Sequence, residues 1–257
     1  MNSNAGVASG DAARPHAAWR SLAEIFKPRI GFEIMLAGVA GVAMAGGGGL
    51  EAGALLTLAA SIFVAACSAG ALNHVAERDL DARMSRTRAR PFVTGALAGD
   101  TRWYLLIAAL LVAAVTAAGW ATNWLAAAYV FLGAFTYGVV YTLWLKRRTW
   151  MNIVIGGLAG SFAVLAGAAA IDPMPGASAW VFAVVLFLWT PPHFWSLAMY
   201  YRQDYADAGV PMLPVVFGDR VAAQVIFWHT VPLVLVSLVP LALGAGGMYG
   251  VGPVTGG

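Results

Sequence analysis

Three polar side chains with the spacing of a helical ligand set follow an apolar stretch that ends near residue 72. Asn73, Glu77 and Asp81 lie four residues apart in the segment "NHVAERDLDARMSRTRARP". On a helix, residues at this spacing lie near one face, whereas Asp79 points elsewhere. A row of carboxylate and amide oxygens suits a hard cation such as Mg²⁺, which keeps part of its water and takes further ligands from a bound phosphate. The sequence therefore predicts a metal site at this boundary, where unused carboxylates are costly.

Basic residues accompany these acids and are candidates for binding the phosphate oxygens of such a ligand. The candidates are Arg78, Arg83 and Arg88 in the same segment, and Lys146 in "LWLKRR". Guanidinium and ammonium groups hold phosphate through charge-assisted hydrogen bonds. Other roles stay open for these residue types. The arginines can pair with the neighbouring acids or anchor the chain among anionic lipid headgroups, and Lys146 can extend from its helix end to the membrane surface.

A second candidate region surrounds the sequence "LFLWTPPHFWSLAMYY". Its proline pair is expected to break the helix and free backbone carbonyls, which then need a partner inside the membrane. His193 follows the prolines, and an intramembrane histidine is a functional candidate; a structural histidine packed among aromatic residues is the competing explanation. The next loop, "YYRQDYADAGVPMLPVVFGDR", is acidic and ends in Gly-Asp, as does the loop after Asp81. This weak repeat predicts that both loops face one cavity.

The composition places these segments in a membrane. Of the 257 residues, 60% are hydrophobic and 11% charged, and the mean hydropathy is +0.75, which excludes an ordinary water-soluble domain. We predict an all-α integral membrane protein, because a hydrocarbon core of ~30 Å needs about 20 apolar residues per helix. Seven stretches qualify: residues 30–46, 54–76, 103–121, 124–145, 152–171, 179–201 and 221–245.

The basic residues predict the orientation of these spans. All 15 Lys and Arg residues fall on one side of the seven-span map, so the positive-inside rule places the N-terminus and both acidic loops in the cytoplasm. The same bias accounts for the pI of about 9.2 without nucleic acid as a partner. Residues 1–26 are expected to form a disordered cytoplasmic tail rather than a cleaved signal peptide. A single membrane domain then covers residues 27–257.

Together these segments resemble the UbiA-type intramembrane prenyltransferases and, within them, the protohaem IX farnesyltransferase (haem O synthase) family. That family carries an NxxxDxxxD motif followed by a basic run and "RP…TG"; here it reads Asn73, Glu77 and Asp81, and then "MSRTRARPFVTG". Four further segments resemble the family in the same order: "FKPRI", "YTLWLKRRTWMNIVIGG", "LWTPPHFW" and "DYADAGVPMLPVVFG". The resemblance covers about residues 25–245.

The resemblance implies a UbiA-type helical bundle of about nine spans, of which this chain would hold seven and lack the C-terminal ones. It implies transfer of a farnesyl group from farnesyl diphosphate to a vinyl group of protohaem IX (haem B), giving haem O. Mg²⁺ is the implied cofactor, and the implied catalytic and metal-binding residues are Asn73, Glu77, Asp81 and, from the second acidic motif, Asp204. His193 becomes the implied haem-binding residue.

The resemblance further implies a multi-pass protein of a bacterial inner membrane, surrounded by lipid, with haem A synthase or terminal oxidase assembly proteins as partners. The sequence departs from the family at Glu77, where the family has Asp; the charge is kept but moves by one methylene. Three other functions stay open: a prenyltransferase with an aromatic quinone-precursor acceptor, a secondary transporter, and a non-catalytic assembly protein. A transporter would place its ionisable residues near the membrane midplane, whereas these acids follow the ends of spans.

Overall fold

The structure is a computed structural model that describes the backbone of residues 15–242 and the side chains of residues 19–240. Over this range the chain is helical and contains no strand, which confirms the predicted all-α class. Its elements are α1 (Pro15–Phe26), α2 (Pro28–Met44), α3 (Ala52–Ala76), α4 (Arg78–Asp81), α5 (Pro91–Thr94), α6 (Thr101–Ala121), α7 (Trp124–Phe135), a π-helix π1 (Thr136–Leu145), α8 (Asn152–Gly156), α9 (Leu158–Ile171), α10 (Ala177–Tyr200), α11 (Arg202–Asp207), α12 (Leu213–Ser237) and α13 (Val239–Ala242).

Within the described residues, six helical segments are long and apolar enough to cross a membrane. They are Ala52–Ala76, Thr101–Ala121, Trp124–Leu145, Asn152–Ile171, Ala177–Tyr200 and Asp219–Ser237. The predicted first span corresponds to α2, whose 17 residues reach only about 25 Å at 1.5 Å per residue. That length is near the lower limit for crossing the hydrocarbon core. The chain is therefore a multi-pass membrane protein, with residues 243–245 of the predicted last span outside the described part.

The prediction of a disordered tail over residues 1–26 is wrong for its second half. Residues 15–26 form α1, while residues 1–14 lie outside the described residues. Ile25 is fully buried in a cluster with Val75 and Phe92, whereas Trp19 on the same helix is 73% exposed. Burial of one apolar face against α3 stabilises the helix, which its Ala- and Gly-rich surroundings in the sequence did not indicate. The domain boundary at residue 27 stays a prediction.

Two helices of the bundle pack at backbone distance. Helices α2 and α9 run side by side, and glycines face the contact from both. A Cβ atom at Gly167 would overlap the carbonyl oxygen of Gly38, and one at Gly41 would overlap that of Val164. Small residues permit such close approach, and in lipid this packing replaces the hydrophobic effect as the force between helices. The contact therefore depends on glycine on both sides.

Residues 124–145 form one rod that changes helix type near its middle. Helix α7 gives way to π1 after Phe135, and the N–H of Lys146 donates to the carbonyl of Tyr141, five residues back, at 2.9 Å. Such π-segments are rare and occur frequently at functional sites. Here the π-helix places Lys146 beside the end of α3, where the polar residues of the predicted site lie.

The predicted break at the proline pair is wrong, because α10 continues through Pro191 and Pro192. A proline within a helix leaves the carbonyl four residues before it without a donor. For Pro192 that carbonyl belongs to Leu188, and the backbone of Leu188 is hydrogen-bonded to His229 on α12. A neighbouring span thus supplies the missing donor, as the membrane interior requires.

We predict that Gly167→Ala destabilises the bundle by roughly 1–3 kcal/mol, the usual cost of overpacking a tight contact. The Tm of the detergent-purified chain can be followed through the reaction of Cys67 with a thiol-reactive fluorophore, since Cys67 is the single cysteine and is buried. Gly160→Ala is the matched control on the same helix, because a Cβ there meets open space. Equal Tm values for the two variants would contradict the close contact.

Candidate active site

The three residues predicted to bind a metal ion lie at the end of α3. Asn73 is in the last turn of α3, Glu77 follows that helix, and Asp81 ends the short helix α4. Their exposed fractions are 4%, 1% and 3%. The N–H of Asp81 donates to the carbonyl of Glu77 at 2.8 Å, so the helical spacing continues past the end of α3. The sequence therefore located a buried row of oxygen-bearing side chains.

Each of these side chains contacts one cation, and the three cations come from different parts of the chain. Lys27, between α1 and α2, donates from Nζ to Asn73 Oδ1 at 2.6 Å. Lys146, after π1, pairs with Glu77 Oε2, and Arg90, before α5, pairs with Asp81 Oδ2 at 2.8 Å. We call these six residues the charge cluster: Lys27, Asn73, Glu77, Asp81, Arg90 and Lys146. Lys146 and Arg90 compensate the charges of the buried Glu77 and Asp81, which would be very costly unpaired, whereas Lys27 donates to a neutral amide.

Of the predicted phosphate-binding residues, only Lys146 belongs to the charge cluster. The side chains of Arg78, Arg83 and Arg88 are exposed, and Arg78 donates to the carbonyl of Gly99 at 3.3 Å. None of the described ion pairs joins Arg78, Arg83 or Arg88 to Glu77 or Asp81. Their predicted role in binding diphosphate stays a prediction that this geometry does not favour.

Lys27 and Arg90 are the cluster members that sequence reasoning missed. Both stand immediately before a proline that starts a helix, Pro28 for α2 and Pro91 for α5. A cation at a helix N-terminus is opposed by the helix dipole, so these two positions are locally unfavourable for a basic residue. A basic residue directly before a helix-starting proline is therefore the sequence signal for these two positions. A residue that is unfavourable locally indicates a stabilising contact elsewhere in the fold.

Lys27 occupies an unusual position in both backbone and charge. Its φ of 49° and ψ of 55° lie in the left-handed region, which residues other than glycine seldom adopt. Burial lowers the pKa of its ammonium group to about 7, with the positive charge of Arg90 adding to the effect. The amine therefore titrates near neutral pH and can change its charge when an anion binds beside it.

Asp79 points away from the charge cluster, as predicted. Its two carboxylate oxygens accept hydrogen bonds from Arg147 at 2.6 and 2.7 Å, and this pairing lowers the pKa of Asp79. About half of the Asp79 side chain is exposed, so the pair is expected to add little stability. Asp79 is thus a surface acid beside a row of buried ones.

Asp204 is buried and contacts the loop after α4, and its predicted metal-binding role stays a prediction. Its Oδ1 accepts hydrogen bonds from the N–H and the hydroxyl of Ser85 at 3.0 and 2.7 Å, and its Oδ2 accepts one from the N–H of Arg86 at 3.4 Å. Burial alone would raise the pKa of Asp204, but the hydrogen bonds from Ser85 and Arg86 lower it. Both oxygens are therefore used to hold the loop after α4.

Arg86 reinforces this link between the two acidic loops. Its guanidinium carbon lies 5.0 Å from the ring centre of Tyr201 and 5.2 Å from that of Tyr205. It also donates to the Tyr205 hydroxyl at 3.0 Å. Cation–π contact and hydrogen bonding together hold the loop from α4 against α11. The structure therefore brings the two acidic loops into direct contact, whereas the prediction that both face one cavity stays a prediction.

His193 lies on α10 with an exposed side chain, and no described contact joins it to the charge cluster. Its ring stacks on Trp189, with 4.4 Å between ring centres and 16° between planes, and meets Phe194 edge-on at 5.2 Å. The imidazole nitrogens have no described hydrogen-bond partner. The side chain is thus an accessible imidazole in an aromatic setting, and its predicted role in haem binding stays a prediction.

The donor set of the charge cluster fits a hard divalent cation together with a phosphate ligand. Asn73, Glu77 and Asp81 offer oxygen atoms, and Glu77 Oε1 is buried without a hydrogen-bond partner. In the described part of the chain no three His, Cys, Asp or Glu side chains converge on one point. The residues therefore suit Mg²⁺ rather than a metal needing a full protein shell, because Mg²⁺ readily completes its shell with water and phosphate oxygens.

Sequence comparison identifies close relatives over most of the chain. The model of the UbiA prenyltransferase family matches residues 34–257. Protoheme IX farnesyltransferase 2 of Paramagnetospirillum magneticum is 52% identical over 228 residues, which cover 89% of this chain and 79% of the relative. Protoheme IX farnesyltransferase 1 of the same organism is 47% identical over 233 residues, covering 90% of this chain and 82% of the relative.

Structural comparison supports the same relationship at the level of the fold. A UbiA homologue from Archaeoglobus fulgidus, solved bound to GPP and Mg²⁺, superposes with a TM-score of 0.74 at 17% identity, covering 87% of this chain and 78% of the other. An identity of 17% supports a shared fold only, whereas the sequence relatives establish the family. The chain therefore belongs to the UbiA prenyltransferase family, among its protohaem IX farnesyltransferases.

Proposed function

We propose that this chain transfers a farnesyl group from farnesyl diphosphate to a vinyl group of protohaem IX, with haem O and pyrophosphate as products. The charge cluster carries the proposal, because it combines oxygen ligands for a metal with three cations for a diphosphate in one buried site. The relatives named protoheme IX farnesyltransferase support the choice of donor and acceptor. The cluster follows the end of α3, as binding of a diphosphate headgroup at the membrane surface requires and as midplane transport would not.

In this proposal Asn73, Glu77 and Asp81 would hold Mg²⁺, which would neutralise charge on the diphosphate when bound. Lys27, Arg90 and Lys146, which contact Asn73, Asp81 and Glu77, would bind the phosphate oxygens. Their positive charge stabilises the pyrophosphate as the bond to the farnesyl carbon breaks, which lowers the barrier to its departure. The terminal vinyl carbon of the haem captures the allylic cation left behind, and water adds to the cation formed at the neighbouring carbon and releases a proton, which gives the hydroxyethylfarnesyl group.

We further propose that the exposed Arg83 and Arg88 contact anionic headgroups, whereas Lys27 and Arg90 take the diphosphate role first expected of the arginines. This assignment rests on their contacts, because the half-buried Lys27 and Arg90 contact the buried Asn73 and Asp81, and electrostatic stabilisation is stronger where less water is present. It agrees with an N-terminus and acidic loops on the cytoplasmic side of a bacterial inner membrane. Haem A synthase or an oxidase assembly protein would then receive the haem O product.

His193 is proposed to bind the haem acceptor. The observation that supports this role is its exposed imidazole, stacked on Trp189 and edge-on to Phe194. A histidine of this kind can ligate haem iron through a ring nitrogen, and flat aromatic neighbours suit a planar macrocycle. Because no described contact joins His193 to the charge cluster, haem and diphosphate binding are expected to respond to different substitutions.

We expect Asp81→Asn to reduce haem O formation by at least about 100-fold, because it removes a buried charge from the proposed metal and diphosphate site. The assay incubates membranes containing the full chain with protohaem, farnesyl diphosphate and Mg²⁺ and measures haem O by chromatography. Asp79→Asn is the matched control, since that acid is two residues away but exposed and paired with Arg147. Similar losses in both variants, or none in Asp81→Asn, would contradict the proposed role of the buried row.

The pKa of Lys27, about 7, predicts a pH-dependent affinity for farnesyl diphosphate. An anion raises the pKa of a nearby amine, so binding above pH 7 must be accompanied by proton uptake. The KM for farnesyl diphosphate is therefore expected to rise above pH 7 by up to about tenfold per pH unit. In Lys27→Arg the guanidinium stays charged, and this part of the pH dependence should disappear. Identical pH profiles for the two proteins would exclude Lys27 as the titrating group.

We predict that His193→Ala loses haem retention and haem O formation while its affinity for farnesyl diphosphate is unchanged. The absorption spectrum of haem bound to the purified chain should shift when the imidazole is removed. Phe194→Ala is the control for packing, because Phe194 is the neighbouring exposed ring on α10. If both variants lose haem equally with unchanged spectra, His193 only packs; if diphosphate affinity falls, the assignment to haem is wrong.

A further inference from the structure

The π-helix changes which residues of its span face the charge cluster. In an α-helix of 3.6 residues per turn, the separation of nine positions between Tyr137 and Lys146 makes about two and a half turns and places the two side chains on opposite faces. In the structure both reach the cluster: Lys27 Nζ donates to the Tyr137 hydroxyl at 3.5 Å, and Lys146 pairs with Glu77. The wider turns of π1 therefore align side chains that α-helical periodicity separates.

Thr142, within π1, contacts the charge cluster through Asn73. Its exposed fraction is 1%. The Thr142 hydroxyl donates to the carbonyl of Tyr137 at 2.9 Å, and its oxygen accepts from Asn73 Nδ2 at 3.3 Å. Because a hydroxyl has one hydrogen, and here the backbone carbonyl takes it, Thr142 can only accept from Asn73. The hydroxyl therefore determines which end of the Asn73 amide faces it.

The orientation of the Asn73 amide matters because its two ends have opposite chemistry. With Nδ2 directed to Thr142, Oδ1 faces the cluster, where Lys27 donates to it at 2.6 Å. A carbonyl oxygen can ligate a cation, whereas an amide NH₂ group only donates hydrogen bonds and repels one. Without the Thr142 acceptor, Nδ2 would be left unpaired in a buried position, and Lys27 alone would favour the orientation with Oδ1 forward.

We propose that Thr142 is a positioning residue that directs the Asn73 oxygen toward the metal and diphosphate. The role of this orientation in catalysis rests on the proposed function, whereas the orientation of the Asn73 amide itself does not. Partners behind a metal ligand commonly change metal affinity by about 10- to 100-fold when they are removed. The hydroxyl acts through Asn73.

The test compares Thr142→Val with Thr142→Ser in the purified full chain. Val keeps the branched shape but offers no acceptor, whereas Ser keeps the hydroxyl and loses one methyl group. Binding of Mn²⁺ in the presence of inorganic pyrophosphate, measured by electron paramagnetic resonance, reports metal affinity without haem or turnover. We expect Thr142→Val to weaken Mn²⁺ binding by about tenfold or more and Thr142→Ser to stay within about twofold of the unsubstituted chain.

A double-mutant cycle with Asn73→Asp separates orientation from general damage. A carboxylate has two equivalent oxygens, so its metal binding does not depend on which end faces Thr142, and adding Thr142→Val to Asn73→Asp should change Mn²⁺ affinity by less than about twofold. If Thr142→Val does not yield folded protein, Thr142→Ala serves the same comparison, since it removes the hydroxyl without adding bulk.

Two results would overturn the proposal: unchanged Mn²⁺ affinity in Thr142→Val, or an equal loss in the Asn73→Asp background. A loss in Thr142→Ser as large as in Thr142→Val would also overturn it, because the methyl group and not the hydroxyl would then be responsible. Failure of the unsubstituted chain to make haem O would count against the proposed function alone, since the Mn²⁺ comparison requires no transfer.

Discussion

The buried pairing of three oxygen-bearing side chains with three cations is the constraint on which the rest of this structure depends. Glu77 and Asp81 are almost fully buried, and an ionised carboxylate in such a place is stable only with a partner. Those partners arrive from the junction of α1 and α2, from the loop before α5 and from the end of π1. The end of α3 therefore holds together elements that are far apart in the sequence.

The helix packing supplies the positions from which these cations reach the site. Glycines at the contact of α2 and α9 allow backbone contact, which fixes α2 and the Lys27 that precedes it. The π-segment turns Lys146 to the same side as Tyr137. Both features have a local cost, since glycine weakens a helix and a π-turn is a poorer arrangement than an α-turn. The contacts within the charge cluster offset these local costs.

The two acidic loops have different tasks, although the sequence suggests a repeat. The first carries the buried row, whereas Asp204 in the second receives hydrogen bonds from Ser85 and Arg86. Arg86, between Tyr201 and Tyr205, adds a second attachment. These contacts hold the middle of the loop that ends in Arg90. They thereby help to position the guanidinium of Arg90 on Asp81. One acidic loop thus orders the other, and precise positioning of charge is what catalysis by electrostatics requires.

The sequence by itself determined the spans, the family resemblance and the row of Asn73, Glu77 and Asp81, because hydropathy and helical spacing are local properties. It also identified Lys146, although not its partner. Only the tertiary structure selected Lys27 and Arg90 over the arginines nearest the acids and turned Asp204 to the loop. Ion pairing between distant segments depends on burial and chain path, which periodicity does not encode. The π-helix is a further feature that the sequence did not predict. An α-helical count puts Tyr137 and Lys146 on opposite faces, whereas in the folded chain, packed against α3, both reach the charge cluster.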